Sequence, residues 1–123
     1  VDYVKGQDLL ELRRKYHHDV QQHGEEHPLT GLRLLELGDA YELSNAFEQA
    51  EKHYKLAADV FQRLGLDHEL LQAIAIKSAA EMAQFQNNKS EAAKLKAEAR
   101  LLVRTCFYRD FGLNGSDEPN GVH

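Results

Sequence analysis

Sliding the chain along itself by 42 positions brings its small and large apolar residues into register, and that self-match constrains the fold more than any other feature. Leu34 falls on Ile76, Leu37 on Ala79, Gly38 on Ala80, Ala50 on Ala92, Ala57 on Ala99, Val60 on Leu102 and Phe61 on Val103. The junctions ahead of the two copies agree to within one position, because GEEHPL starts at Gly24 and GLDHEL at Gly65. A fixed period of this length marks stacked supersecondary units, each too small to bury its apolar face alone.

Within the copies the apolar residues recur at steps of three and four, the spacing of a helix face. Leu9, Leu12, Tyr16 and Val20 predict a leading helix over 7–22. It stops at Gly24, which suits a left-handed residue past a helix end, and Pro28 suits the first turn of the next helix, where its missing N–H would have no partner anyway. The second helix runs from Pro28 to about Leu43. Asn45 with Glu48 three residues later reads as a capping box for a third helix that carries Ala50, Tyr54, Ala57, Val60, Phe61 and Leu64 inward as far as Gly65. Asp67 is the expected cap of a fourth helix, apolar around much of its circumference, and Ser90 that of a fifth. In the fifth helix Ala92, Leu95, Ala99, Leu102, Val103, Cys106 and Phe107 keep helical spacing. The fold class is therefore all-α: about five antiparallel helices, namely a leading helix and two helix pairs within 27–65 and 68–108. One domain over 1–111 is followed by a flexible tail over 112–123, where apolar residues thin out into GSDEPNGVH.

Composition narrows the function classes. Asp plus Glu outnumber Lys plus Arg by 20 to 15 and no basic run longer than Arg13, Arg14 and Lys15 occurs, so a grip on a nucleic-acid backbone is not expected. No apolar stretch approaches the roughly 18 residues of a membrane-spanning helix, and VDYVKGQDLL at the start lacks the charged-then-apolar signal-peptide pattern. The single Cys106, set among Leu102, Val103 and Phe107, reads as a small buried hydrophobe and points to a reducing, cytoplasmic setting.

Each small residue in the repeat has a packing reason. Gly38 or Ala80 on one helix and Ala50 or Ala92 on its partner let two antiparallel helices approach, while Ala57 and Ala99 admit the next pair. The segment LLELGDAYELSNAFEQAEKHYKLAADVF resembles a tetratricopeptide repeat, with Leu34, Leu37, Gly38, Tyr41, Ala50, Tyr54 and Ala57 at the signature spacing. The period and the GEEHP junction are similar to the long repeats of kinesin light chains. The second copy departs by carrying Ala83 for Tyr41 and Lys96 for Tyr54, and the leading helix has Tyr16 where the repeats have Ala57 and Ala99.

The resemblance implies an α-α superhelix whose inner groove is formed by the first helix of each pair. On that basis the groove residues are Leu32, Leu35, Glu36, Asp39 and Glu42 from the first repeat and Ile74, Lys77, Ser78, Glu81 and Gln84 from the second. For Leu32, Leu35 and Ile74 the alternative is contact with neighbouring helices. The groove is partly apolar and mainly acidic, which fits a basic or amphipathic peptide segment of another protein and needs no cofactor. Leu35 and Asp39 stand where the chaperone-tail subclass would want Lys and Asn, which disfavours that ligand. Self-association through the fifth helix, with Phe107, Tyr108 and Phe111, is a second possibility, and a terminal cap of a larger array a related one.

Chemistry-bearing clusters are sparse. His17, His18, His23, His27 and Asp19 crowd one region, but His17 and His18 point about 100° apart on a helix, and His23 and His27 straddle a helix stop. A solvated helix end, with His27 and His68 capping or packing at the junctions, explains them. Glu36, Asp39 and Glu81 lack an accompanying histidine or nucleophile, and GLNGS lacks the Lys and strand of a phosphate loop. The chain is expected to be no enzyme.

Overall fold

In the computed structural model, residues 2–110 are described, with side chains from Leu9 to Arg109. They form five α-helices joined by short connections: α1 (Asp2–His23), α2 (Pro28–Leu43), α3 (Phe47–Leu64), α4 (Glu69–Phe85) and α5 (Lys89–Asp110). A single 3-10 turn, Leu66–His68, precedes α4, and no strand occurs among the described residues. The all-helical class is as expected. The proposed tail over 112–123, and Phe111, lie outside the described residues.

Each helix packs along the next in chain order, α1 on α2, α2 on α3, α3 on α4 and α4 on α5. The core is one continuous cluster running from Leu34, Leu37 and Tyr41 through Tyr54, Ala57 and Phe61 to Ile76, Ala79, Met82, Leu95 and Ala99. Leu9, Leu12 and Tyr16 cover its α2 end. Two further contacts hold α1 in place. The buried Asp19 accepts from Arg33 Nε at 2.8 Å, and Arg13 donates to the Tyr41 hydroxyl while lying 5.8 Å from its ring centroid.

The close approach of α2 to α3 is set by glycine. A Cβ added at Gly38 would lie 2.6 Å from Tyr54 Cε1, and one at Gly31 would lie 2.7 Å from the Phe61 ring. The repeat junctions work as the sequence implies at Gly24 and Gly65, whose φ angles are 88° and 96°. His27 caps α2, its Nδ1 accepting from Leu29 N–H at 3.1 Å, and Pro28 is the first helical residue. His68, at the equivalent junction, stacks on Phe61 with centroids 6.3 Å apart.

Three expected caps are placed differently. Asn45 does not open α3; it closes α2. With φ 61° it is the left-handed residue of a Schellman motif in which Ala46 N–H bonds Tyr41 O and Asn45 N–H bonds Glu42 O, both at 2.9 Å. The same motif recurs 42 residues on, at Asn87 with φ 64°, through Asn88 to Ala83 and Asn87 to Gln84. The α3 N-cap is then Ala46, without a side-chain bond. Ser90 lies inside α5, and Asn88 Oδ1 accepts from Glu91 N–H at 3.3 Å instead. Asp67 falls in the 3-10 turn, which leaves His68 as the α4 N-cap. α1 begins at Asp2 rather than near Gln7.

Candidate functional site

The first helices of the two pairs leave matching exposed stripes. On α2 the exposed positions are Leu29, Leu32, Glu36, Asp39 and Leu43; on α4 they are Leu70, Ile74, Lys77, Glu81, Gln84 and Phe85. Steps of three and four put each set on one helix face. Leu32 and Ile74, related by the repeat, are 38% and 47% exposed, so neither serves as core. Leu35 is half-buried and packs against the core, as the neighbouring-helix alternative holds. Ser78 and Glu42 are also half-buried.

The charged members are partly engaged. Glu36 accepts from Arg33 Nη1 at 2.9 Å. The Tyr54 hydroxyl donates to Asp39 Oδ1 at 2.5 Å and lies 2.8 Å from Glu42 Oε1. Burial first, and the two carboxylates second, push the Tyr54 phenol far above its ordinary range, so it stays a neutral donor whose single proton serves Asp39, with Glu42 beside it at the α2–α3 seam. Gln84 Oε1 accepts from Lys96 Nζ at 2.8 Å. Lys77 and Glu81 are exposed.

Two clefts divide the expected groove. The first, of about 280 Å³ between α1 and α2, takes in Glu36 and Asp39 together with Glu11, Leu12, Lys15, Ala40 and Leu43. The second, of about 570 Å³ between α4 and α5, takes in Ile74, Lys77 and Glu81 with Ala73 and, from α5, Lys96, Ala99, Arg100, Val103, Arg104, Phe107 and Tyr108. Leu32, Leu35, Glu42, Ser78 and Gln84 line neither. The α1/α2 cleft carries three acids to one base, and the α4/α5 cleft four bases to one acid. A single, mainly acidic groove therefore gives way to an acidic end and a basic end.

Sequence reasoning missed the cations on α5, although a signal was present. The repeat places Tyr54, Ala58 and Phe61 onto Lys96, Arg100 and Val103. Replacement of buried apolar residues by cations at equal repeat positions marks a face that no further described helix covers. Val103 and Phe107, which keep helical spacing on α5, are 46% and 49% exposed, whereas Phe61, the repeat counterpart of Val103, is fully buried.

Five of the described histidines pack against other rings, His68 against Phe61 as above. His23 stacks on His27 at 4.3 Å, His17 tilts against Tyr16 at 5.4 Å, and His53 lies 4.9 Å from Tyr41 with Nδ1 2.8 Å from Gln49 O. Among the described residues no group of three or more His, Cys, Asp or Glu side chains is placed to hold a metal ion. No described helix is long and apolar enough to cross a membrane. Cys106 is half-buried. No family model, curated protein or solved structure matches the chain.

Proposed function

We propose that this chain is a non-catalytic protein-interaction module of tetratricopeptide type that holds a peptide segment of another protein along α2 and α4. The observation that carries this reading is the pair Leu32 and Ile74: large apolar side chains at the same repeat position, both exposed, on the two helices the repeat assigns to the inner surface. Glu36 and Asp39 beside Leu32, with Glu11 across the α1/α2 cleft, favour a basic or amphipathic segment there. A fixed position for Asp39 adds selectivity, because a carboxylate already held by Tyr54 loses little freedom when a ligand cation arrives.

Selection from a random peptide display library tests the reading. Enriched sequences should combine apolar anchors with Lys or Arg, and they should lose binding to Leu32→Asp and Glu36→Lys variants that keep the parent's helical circular dichroism. A library that yields no binder, or binders indifferent to both substitutions, would sink the reading. Asp39 is the wrong position to change, because its bond to Tyr54 mixes stability into the result.

A further inference from the structure

The α4/α5 end of the stack carries a surface of a different kind. α3 lies between α2 and α4, whereas α4 is the helix packed along α5. The consequence is visible at equal repeat positions: Tyr54, Ala58 and Phe61 on α3 are 1%, 7% and 0% exposed, while Lys96 is half-buried, Arg100 is exposed and Val103 is 46% exposed. Ala73 and Ala99, the counterparts of Gly31 and Ala57, give the cleft between α4 and α5 a floor of small side chains, and Ile74, Val103 and Phe107 rim it with apolar surface. The cleft repeats, one unit on, the kind of α2/α3 end on which α4 itself packs, so its shape suits a helix rather than an extended strand.

Its charge says which helix. Lys77, Lys96, Arg100 and Arg104 line the cleft against the single acid Glu81. Four of the 15 lysines and arginines of a chain with net charge −5 thus converge on one site. We propose that the α4/α5 cleft docks an amphipathic helix of a partner protein, its apolar stripe seated on Ile74 and Val103 and its flanks carrying carboxylates that meet Lys96, Arg100 and Arg104. The surface shares Ile74 and the α4 face with the proposed peptide groove, but its cations come mainly from α5 and it prefers the opposite charge to the acidic α1/α2 cleft, so substitutions at Arg100 and Arg104 separate the two readings.

The test uses two synthetic helical peptides with the same leucine stripe, one flanked by Glu and one by Lys, titrated into the isotopically labelled chain and followed by NMR. The Glu peptide should bind at least about tenfold more tightly than its Lys twin, and its affinity should fall as salt rises from about 0.1 M to about 0.5 M. Shifts should centre on Ile74 and Val103. The exposed pair Arg100→Glu with Arg104→Glu should reverse the preference, whereas Glu36→Lys should leave it unchanged. Equal binding of both peptides, no binding of either, shifts centred on Leu32, or a preference that survives the double substitution would overturn the proposal. So would concentration-dependent self-association abolished by Val103→Asp, because a second copy would then be the occupant.

Discussion

Gly38 faces Tyr54 so closely that no side chain fits between them, with a Cβ placed 2.6 Å from Cε1 and 2.7 Å from Cδ1. The ring has no free direction in which to move, being 1% exposed and held at its far end by Asp39 and Glu42. Gly38→Ala gains about 1 kcal/mol of helix propensity and loses about 1–3 kcal/mol to overpacking. The steric loss should win, and urea denaturation should show a net destabilisation of about 1 kcal/mol. In a Tyr54→Ala background the clash is gone and the same substitution should become stabilising; an equal cost in both backgrounds would refute the steric account. The Tyr54 hydroxyl makes a second prediction. Its folded-state pKa is raised, so both folded and unfolded chains keep the proton below about pH 10 and the contribution is fully present there. As pH rises further the unfolded chain ionises first, binds fewer protons than the folded chain, and stability falls. Tyr54→Phe should flatten this alkaline decline, leaving the part due to Tyr16, whose pKa is raised by burial and by Glu25, and to Lys55, whose pKa burial lowers but the Glu51 and Glu91 carboxylates raise by more. An unchanged slope of unfolding free energy between about pH 9 and about pH 11 in the variant would show that the phenol is not held neutral.

At the scale of the elements, the two helix pairs are closed by the same device. Asn45 and Asn87 both adopt positive φ after α2 and α4, and the hydrogen bonds around them match one for one across the repeat. Asparagine tolerates this conformation and alanine does not, so Asn45→Ala and Asn87→Ala should each cost about 1 kcal/mol, while glycine at either position should be neutral or mildly stabilising. Chemical denaturation of the four variants decides this; alanine and glycine behaving alike would rule out a conformational origin. Helix number, helix type and the ends of α2, α3 and α4 were legible from the sequence, because apolar spacing and the glycine junctions at Gly24 and Gly65 state them directly. The caps were less so. Asn45 sits three residues before Glu48 and also one residue past Ser44, and only the backbone bonds to Tyr41 and Glu42 show that closing α2 took precedence over opening α3. The candidate surface was half legible: repeat register pairs Leu32 with Ile74, and both are exposed, but it also pairs Val103 with Phe61, whose burial Val103 does not share. Burial depends on which helix lies beyond, and that is a property of the stack rather than of the local pattern.

For the molecule as a whole, serial packing makes the value of a position depend on its place in the stack. Phe61 and Val103 occupy the same repeat position, yet Phe61 is enclosed between the Gly31 site and the His68 ring while Val103 is 46% exposed. Phe61→Ala removes a ring from the centre of the only core among the described residues, where α2, α3 and α4 meet, and should cost about 3–5 kcal/mol. Such a loss approaches the whole stability of a domain this size, so the variant should be substantially unfolded at moderate urea. Val103→Ser, by contrast, changes an exposed side chain on the outer face of the stack and should move stability by no more than about 0.5 kcal/mol. The comparison separates two origins for the apolar residues of α5. If Val103 belonged to the folding core, the serine variant would unfold with Phe61→Ala; if it serves an interface, the variant keeps full stability and the cost is found only when a partner helix is offered to the α4/α5 cleft. Thermal melts of both variants, read beside the peptide titration, distinguish the two, and a loss above about 2 kcal/mol for Val103→Ser would return that face to the core and remove the basis for docking there.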